Sequence, residues 1–458
     1  MKRISMVIVV LMGLLVGISS GQNKSTSQSE SEIALTLIPP SLVTDRIACD
    51  IRGAIWNRTN TPAKYTAAVY LDSEKPERML YQESLTVPPE SGAVVKFLWP
   101  TKDEIGDHEI LLIVRTGKKT WRVSQPLTVM SSDVRSSGHI GGAWVGIYHW
   151  SEKEGRPWNT QIKMMTDDQW RQLVCGMHRL EMNIIVIQEV FRNQIYNNED
   201  TLIEKNGYQG LAYYPSKLFP GRMPIAAKDP IEDILSEADR LSMHVFLGVG
   251  MYAWFDFSRA SLEWHERVAD ELLERYGKHR SFYGWYVSEE KDGSLGDLAE
   301  REQIVKFFTE FTPYVHRLAP GKPVMLATNC FHLREAEDTY RKLLPNLDIL
   351  CPFGFGRMPS DDETGEQAAM LLDTLCEKAG THLWLDMEAF AFDKGGALIP
   401  RAIHGIVSDL RDFTNFEEIL CYQYPGLFTA PNASMKLGGK AAVNLYLDYK
   451  KYLKESLK

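Results

Sequence analysis

Phe282-Tyr283-Gly284-Trp285-Tyr286-Val287-Ser288-Glu289-Glu290 is the stretch whose reading decides the fold. It is aromatic and β-branched, ends in two carboxylates, and runs into the turn-like Lys291, Asp292 and Gly293. Such a run predicts a buried strand that stops at a cleft. Seven further apolar runs of this kind lie at residues 143–150, 183–191, 244–252, 323–329, 347–355, 382–390 and 419–428. Near-continuous apolarity, without alternation, is the mark of a strand covered on both faces and therefore of a parallel sheet.

Between these runs stand helix signals. Thr166, Asp167, Asp168 and Gln169 form a capping box, and Asp229 followed by Pro230 is a cap with proline at the first helical position. Trp264, Val268 and Leu272 recur at helical spacing before Gly277, as do Ile304, Phe308, Phe311 and Val315 before Gly321. Eight strand–helix alternations predict a closed (β/α)8 TIM barrel, an α/β fold, over residues 139–458. The long Tyr-, Asn- and Gly-rich loop at residues 192–228 is expected to wall the cleft.

Upstream the pattern changes. Seven short alternating runs between Ile33 and Val129, separated by turns such as Pro39-Pro40 and Pro88-Pro89, predict an immunoglobulin-like β-sandwich over residues 32–131, joined by a small polar linker. A spacer role for it is favoured over carbohydrate binding, because its acids and aromatics do not converge. Lys2 and Arg3, an apolar run from Ile4 to Ile18 and the small residues Ser19, Ser20 and Gly21 predict a secretory signal peptide over residues 1–21, the alternative being a retained anchor. The mature protein is then expected in the periplasm or secreted, without stable membrane insertion. No cysteine closes that segment for lipid attachment.

The 458 residues carry a net charge of −9, which offers no footprint for nucleic acid. Six scattered cysteines lack the close pairs of a zinc knuckle or disulfide scaffold and are read as core residues, with room for one incidental disulfide.

In a parallel barrel the site lies at the carboxyl ends of the strands. Those ends supply His149 and Trp150, Gln188 and Glu189, Tyr252, Ser288, Glu289 and Glu290, Asn329, Asp386 and Glu388, and Gln423 and Tyr424. Aromatic faces stack on sugar rings while amides and carboxylates meet their hydroxyls, so a carbohydrate substrate is expected. Glycoside hydrolysis needs two carboxyl groups flanking one bond, and Glu290 and Glu388 come from strands nearly opposite one another. Adjacent strand residues face opposite ways, so at most one of Glu289 and Glu290 points inward. Asp386, on the same face as Glu388 but deeper, is expected to orient it.

These residues carry a resemblance. Gly284-Trp285-Tyr286-Val287-Ser288-Glu289-Glu290 resembles the strand-four motif of the clan A superfamily of retaining glycosidases, and Trp384-Leu385-Asp386-Met387-Glu388-Ala389-Phe390 resembles its strand-seven nucleophile segment. The region from Gly141 onward is similar to an uncharacterised family of exported bacterial barrel proteins assigned to glycoside hydrolysis, a domain of unknown function. The resemblance implies a retaining glycoside hydrolase with Glu290 as acid/base and Glu388 as nucleophile. Glu289 stands where the superfamily has an asparagine that contacts the sugar 2-hydroxyl, so that contact and the choice between Glu289 and Glu290 stay open.

Other chemistries fit less well. A metal-dependent hydrolase needs converging ligands, yet His149 has no second histidine two residues on, and no metal or cofactor is expected. No strand ends in the lysine of a Schiff-base aldolase, and Gly395-Gly396 is a weak phosphate loop. A barrel that binds carbohydrate without hydrolysing it is the alternative that shares all these residues.

Overall fold

The structure, a computed structural model, describes residues 32–149, 151–193, 210–219, 221–250 and 256–456. Eight parallel strands close a barrel in the order Gly142–Val145, Ile184–Ile187, His244–Gly248, Phe282–Lys291, Val324–Thr328, Ile349–Leu350, His382–Glu388 and Glu418–Tyr422, the last pairing with the first. Each falls inside or against one of the eight apolar runs. Most are shorter than their runs, because the apolar residues after each strand belong to the loops that build the mouth.

Alternation along the strands sorts side chains into two layers. Trp144, Val186, Phe246, Tyr286, Met325, Ile349, Trp384 and Leu420 pack inside the barrel. Trp285, Val287, Leu385, Met387, Ile419 and Cys421 pack outward against the helices. The parity is legible residue by residue: even numbers point inward along the seventh strand and, past an irregularity that turns Tyr283 inward, from Gly284 on along the fourth, with odd numbers outward. Gly284 is required on the inner face, since a Cβ there would stand 2.7 Å from both the Phe246 ring and the Pro323 carbonyl oxygen.

The helices start where the sequence places their caps. Thr166 and Gln169 close a capping box on Asp167–His178, and Asp229 accepts a hydrogen bond from Glu232 N at 3.1 Å to cap Pro230–Leu241. Arg259–Tyr276 stops at Gly277, and Gly380 ends Gly365–Ala379 with a left-handed φ of 72°. All six cysteines are unpaired and five are buried, so the incidental disulfide is absent.

Ahead of the barrel, two sheets share a core of apolar side chains. One joins Ile33–Ile38, Ala48–Asn57 and Ser91–Pro100; the other joins Leu42–Thr44, Lys119–Met130, Gly106–Thr116, Ala63–Leu71 and Met79–Val87. The seven predicted strands are present, together with the three-residue strand Leu42–Thr44, which is too short to carry a period. The three-stranded sheet sits against the amino-terminal end of the barrel. Ile38 enters the barrel's interior cluster, and Tyr283 donates a hydrogen bond to the Leu37 carbonyl at 2.6 Å.

This junction is ionic as well as apolar. Arg52 bonds Asp50 Oδ2 through Nε and Nη2 at 2.9 and 2.8 Å and reaches Asp348 Oδ1 through Nη1 at 2.7 Å. Asp348 also accepts from His316 Nε2 at 2.8 Å. His382 lies 3.4 Å from Asp50 and 2.5 Å from Glu417. The barrel's floor is thus sealed by charges that find partners.

Candidate active site

The carboxyl ends of the strands surround a cleft of about 230 Å³, smaller than the roughly 300–1,000 Å³ of pockets for drug-sized ligands and nearer to one sugar ring than to a long chain. Glu290, Asp386 and Glu388 all line it, as the inward parity of the fourth and seventh strands requires. The alternation therefore selects Glu290 from the Glu289–Glu290 pair; the side chain of Glu289 lies outside the described residues.

Glu388 is held by one cation. Arg357, from the turn Phe355–Arg357 after the sixth strand, donates to Glu388 Oε1 from Nε at 2.7 Å and from Nη2 at 2.6 Å. The guanidinium also lies over the Phe331 ring, 5.5 Å from its centroid. A charge-assisted pair of this kind fixes the carboxylate in one orientation.

Asp386 is in a different situation. It sits two residues deeper on the same strand face, 4 % exposed, and its Oδ1 is buried with no hydrogen-bond partner among the described residues. Burial raises its pKa well above the ordinary carboxylate range, and the neighbouring charges of Glu388 and Glu290 raise it further. Asp386 thus keeps its proton where an exposed aspartate would lose it.

The walls are aromatic and apolar. Trp144 meets Tyr286 edge-on at 5.7 Å, and Phe353, Phe390, Phe392, Leu398 and Tyr422 complete the lining. Phe390–Phe392 and Leu398–Pro400 form a two-stranded flap beyond the seventh strand, with Phe392 exposed. Tyr422 donates to Gln188 Oε1 at 3.1 Å, so the end of the eighth strand is pinned to the end of the second. The peptide between Tyr422 and Gln423 is cis.

The remaining expected site residues divide. Gln188 and Ser288 line the cleft; Ser288 hydrogen-bonds the Gln188 carbonyl and so has a structural task. His149 is buried behind Tyr422 and Glu154. Its Nδ1 accepts from Ser151 N at 3.1 Å, which leaves the proton on Nε2, 3.5 Å from the Tyr422 hydroxyl and 3.7 Å from Glu154 Oε2. It supports the wall without lining it. Glu189 is buried and faces away from the lining, as its odd position beside Gln188 implies.

Three expectations of substrate contact need correction. Asn329 gives its Oδ1 to Gly293 N at 2.8 Å and Phe331 N at 3.0 Å, so it staples two loops. Gln423 is buried beside Gly146, where a Cβ would lie 3.2 Å from Gln423 Oε1 and 3.3 Å from Gln188 Oε1, and it is not part of the lining. Tyr424 stacks on Phe428 with ring centroids 5.9 Å apart, and its hydroxyl points at Gly176 of the helical layer. Its strand ends at Tyr422, two residues before Tyr424 and well short of the end of the apolar run. Trp150, Tyr252, the signal-peptide segment 1–21 and much of the 192–228 loop lie outside the described residues; the described part of that loop does not line the cleft.

The sequence pattern of a family described as a domain of unknown function, DUF4434, matches residues 140–435. The chain belongs to this family. A β-glucuronidase from Sus scrofa is 28% identical over 125 residues, which is 26% of this chain and 17% of that relative's length. Among solved structures, a protein from Bacteroides thetaiotaomicron provisionally assigned as an α-L-fucosidase has a TM-score of 0.52 at 17% identity, covering 70% of this chain and 98% of that one. A β-glucuronidase from Bacteroides uniformis has a TM-score of 0.40 at 12% identity, covering 92% of this chain and 50% of its own. The DUF4434 region of this chain is thus a barrel of the kind found in the first of these structures.

Sequence reading missed Arg357, Glu154 and Tyr422 in the DUF4434 site. Tyr422 was recoverable, since it shares the inward parity of Leu420. Arg357 and Glu154 leave no such trace, because they come from turns whose direction no period encodes.

Proposed function

We propose that this protein is a retaining glycoside hydrolase acting on a carbohydrate outside the cytoplasm, with Glu388 as nucleophile and Glu290 as acid and then base. The observation that carries this reading is that Glu290 and Glu388, 98 positions apart in the chain, open into one aromatic-lined cleft. Arg357 holds Glu388 in one orientation, which suits a nucleophile.

In the first step a Glu388 oxygen forms a bond to the anomeric carbon while the glycosidic C–O bond breaks. Glu290 gives its proton to the departing oxygen. In the second step Glu290 takes a proton from water, whose oxygen displaces Glu388 and restores both groups. Asp386 on the floor and the aromatic walls bind and orient the ring. The exit from the cytoplasm rests on the segment at residues 1–21.

The test uses the mature chain and a panel of nitrophenyl glycosides and plant, host and microbial glycans. Proton NMR of the first product should show the anomer of the substrate, and a 2-deoxy-2-fluoro glycoside of the preferred sugar should label Glu388 in a peptide mass map. Inverted product, or a label elsewhere, overturns the assignment. Glycan binding with no reducing ends released would make the barrel a lectin.

A further inference from the structure

Building on the hydrolase reading, the charges of the cleft narrow the sugar. Glu154, Glu290, Asp386 and Glu388 line it, and among the described residues Arg357 is the one cation there. Its Nε hydrogen bond and its Nη2 ion-pair contact both go to the same oxygen, Glu388 Oε1. A sugar bearing its own carboxylate, a uronic acid, would therefore meet the carboxyl groups of Glu154 and Glu388 with the one cation of the cleft already engaged, Asp386 and the acid Glu290 holding protons. Two unit charges about 5 Å apart at an effective dielectric constant near 20 repel enough to weaken binding by roughly 100-fold.

The floor adds a second, independent observation. Asp386 is 4 % exposed, lines the cleft below Glu388 and has a buried oxygen without a partner among the described residues. Buried polar atoms in native structures are nearly always satisfied, so this oxygen is one that a ligand completes. Asp386 also carries its proton, through burial first and the Glu388 and Glu290 charges second. It can donate one hydrogen bond and accept another, which is what a sugar hydroxyl offers.

We propose that the cleft is specific for a neutral glycosyl residue, a hexose or pentose without a ring carboxylate, and that Asp386 hydrogen-bonds one of its hydroxyls at the floor. Asp386 is a specificity determinant here, and the two glutamates keep the chemistry.

The experiment compares nitrophenyl hexosides and pentosides with the matching glucuronides and galacturonides on the intact mature chain. The preferred neutral glycoside should exceed its uronide in kcat/KM by roughly 100-fold. A uronide as good or better overturns the specificity while leaving the hydrolase intact. If nothing on the panel is turned over, the hydrolase reading falls and binding decides the specificity. Titration of the tryptophan fluorescence with neutral and uronic oligosaccharides should then favour the neutral ones, and equal or reversed affinity overturns it.

Two variants isolate Asp386. Asp386→Ala should raise KM by about 10–100-fold with a smaller change in kcat, and Asp386→Asn, which keeps a donor and an acceptor, should recover most of it. A deoxy substrate lacking the contacted hydroxyl should be insensitive to Asp386→Ala, a readout that a merely misfolded variant would not give. A loss in kcat alone, equal in both variants, overturns the binding role.

Discussion

At the amino-terminal end of the barrel Asp50, Arg52, Asp348, His316, His382 and Glu417 form a chain of ion pairs; at the carboxyl-terminal end Glu290, Asp386 and Glu388 line one cleft whose arginine bonds Glu388. Both ends bury their acids, yet the outcome is opposite. At the lower end burial would raise the Asp50 pKa, but the His382 hydrogen bond and the charges of Arg52 and Lys96 outweigh it and hold it at about 2. Asp348 is likewise held well below the ordinary range, against its burial, by Arg52 and His316. At the upper end Asp386 has no cation bonded to it among the described residues, and its burial and its acidic neighbours push it up. The same fold places a chain of ion pairs where two layers join and a protonated Asp386 with an unpartnered oxygen where the cleft opens. Stability and activity should therefore respond separately to substitutions at the two ends.

The largest expected effect is at the mouth. Glu388→Gln should lower kcat by roughly 10⁴-fold with no fall in Tm, since it relieves Asp386 of a neighbouring charge. A paired kinetic and calorimetric measurement checks this, and a large drop in Tm would erase the contrast. The mirror experiment is Arg52→Ala. Removing one partner of a buried ion pair strands the others, so about 3–5 kcal/mol of stability should be lost in urea unfolding while kcat of the folded fraction stays unchanged.

The lower end should also set the alkaline limit of stability. Burial would lower the His382 pKa, but Glu417 and Asp50 overcome it and hold it at about 9. A raised pKa means that its contribution is present in full below the unfolded value near 6.5 and is lost as pH rises through about 9. Tm should fall across that window, and His382→Gln should flatten the slope there while lowering Tm at neutral pH; an unchanged slope would show that another group governs it. Asp50, with its lowered pKa, contributes in full above the unfolded value near 4 and loses that contribution as pH drops from there through about 2, so its share of the stability should fall across that acid window.

The smallest effect sharpens the upper end. Arg357→Lys keeps the charge but not the planar fork, so Glu388 loses orientation. A fall in kcat of about 10-fold with Tm unchanged is expected, and a fall in Tm as large as that of Arg52→Ala would make the pair a structural one like those below.

Much of this was readable in the chain. Trp285 and Tyr286, or Leu385 and Asp386, alternate between helical layer and lumen as the run of apolar residues allows, and that alternation carries Glu290 and Glu388 inward with it. Asn329 and Tyr424 were misplaced for a common reason. A polar or aromatic residue just past a strand can staple a loop or pack outward, and composition does not distinguish these from contact with a sugar.

By itself the sequence determined the eight strands, the caps of their helices and that at most one of Glu289 and Glu290 could face inward, because each of these is a local property of period and spacing. Only the tertiary structure decided that Arg357 holds Glu388, that Tyr422 bonds Gln188, that Asp386 has an oxygen left without a partner and that Arg52 reaches Asp348. Those pairings join turns and strand ends that are remote along the chain, and their energies depend on which charges share a low-dielectric space, a property of the closed barrel and not of any segment of it.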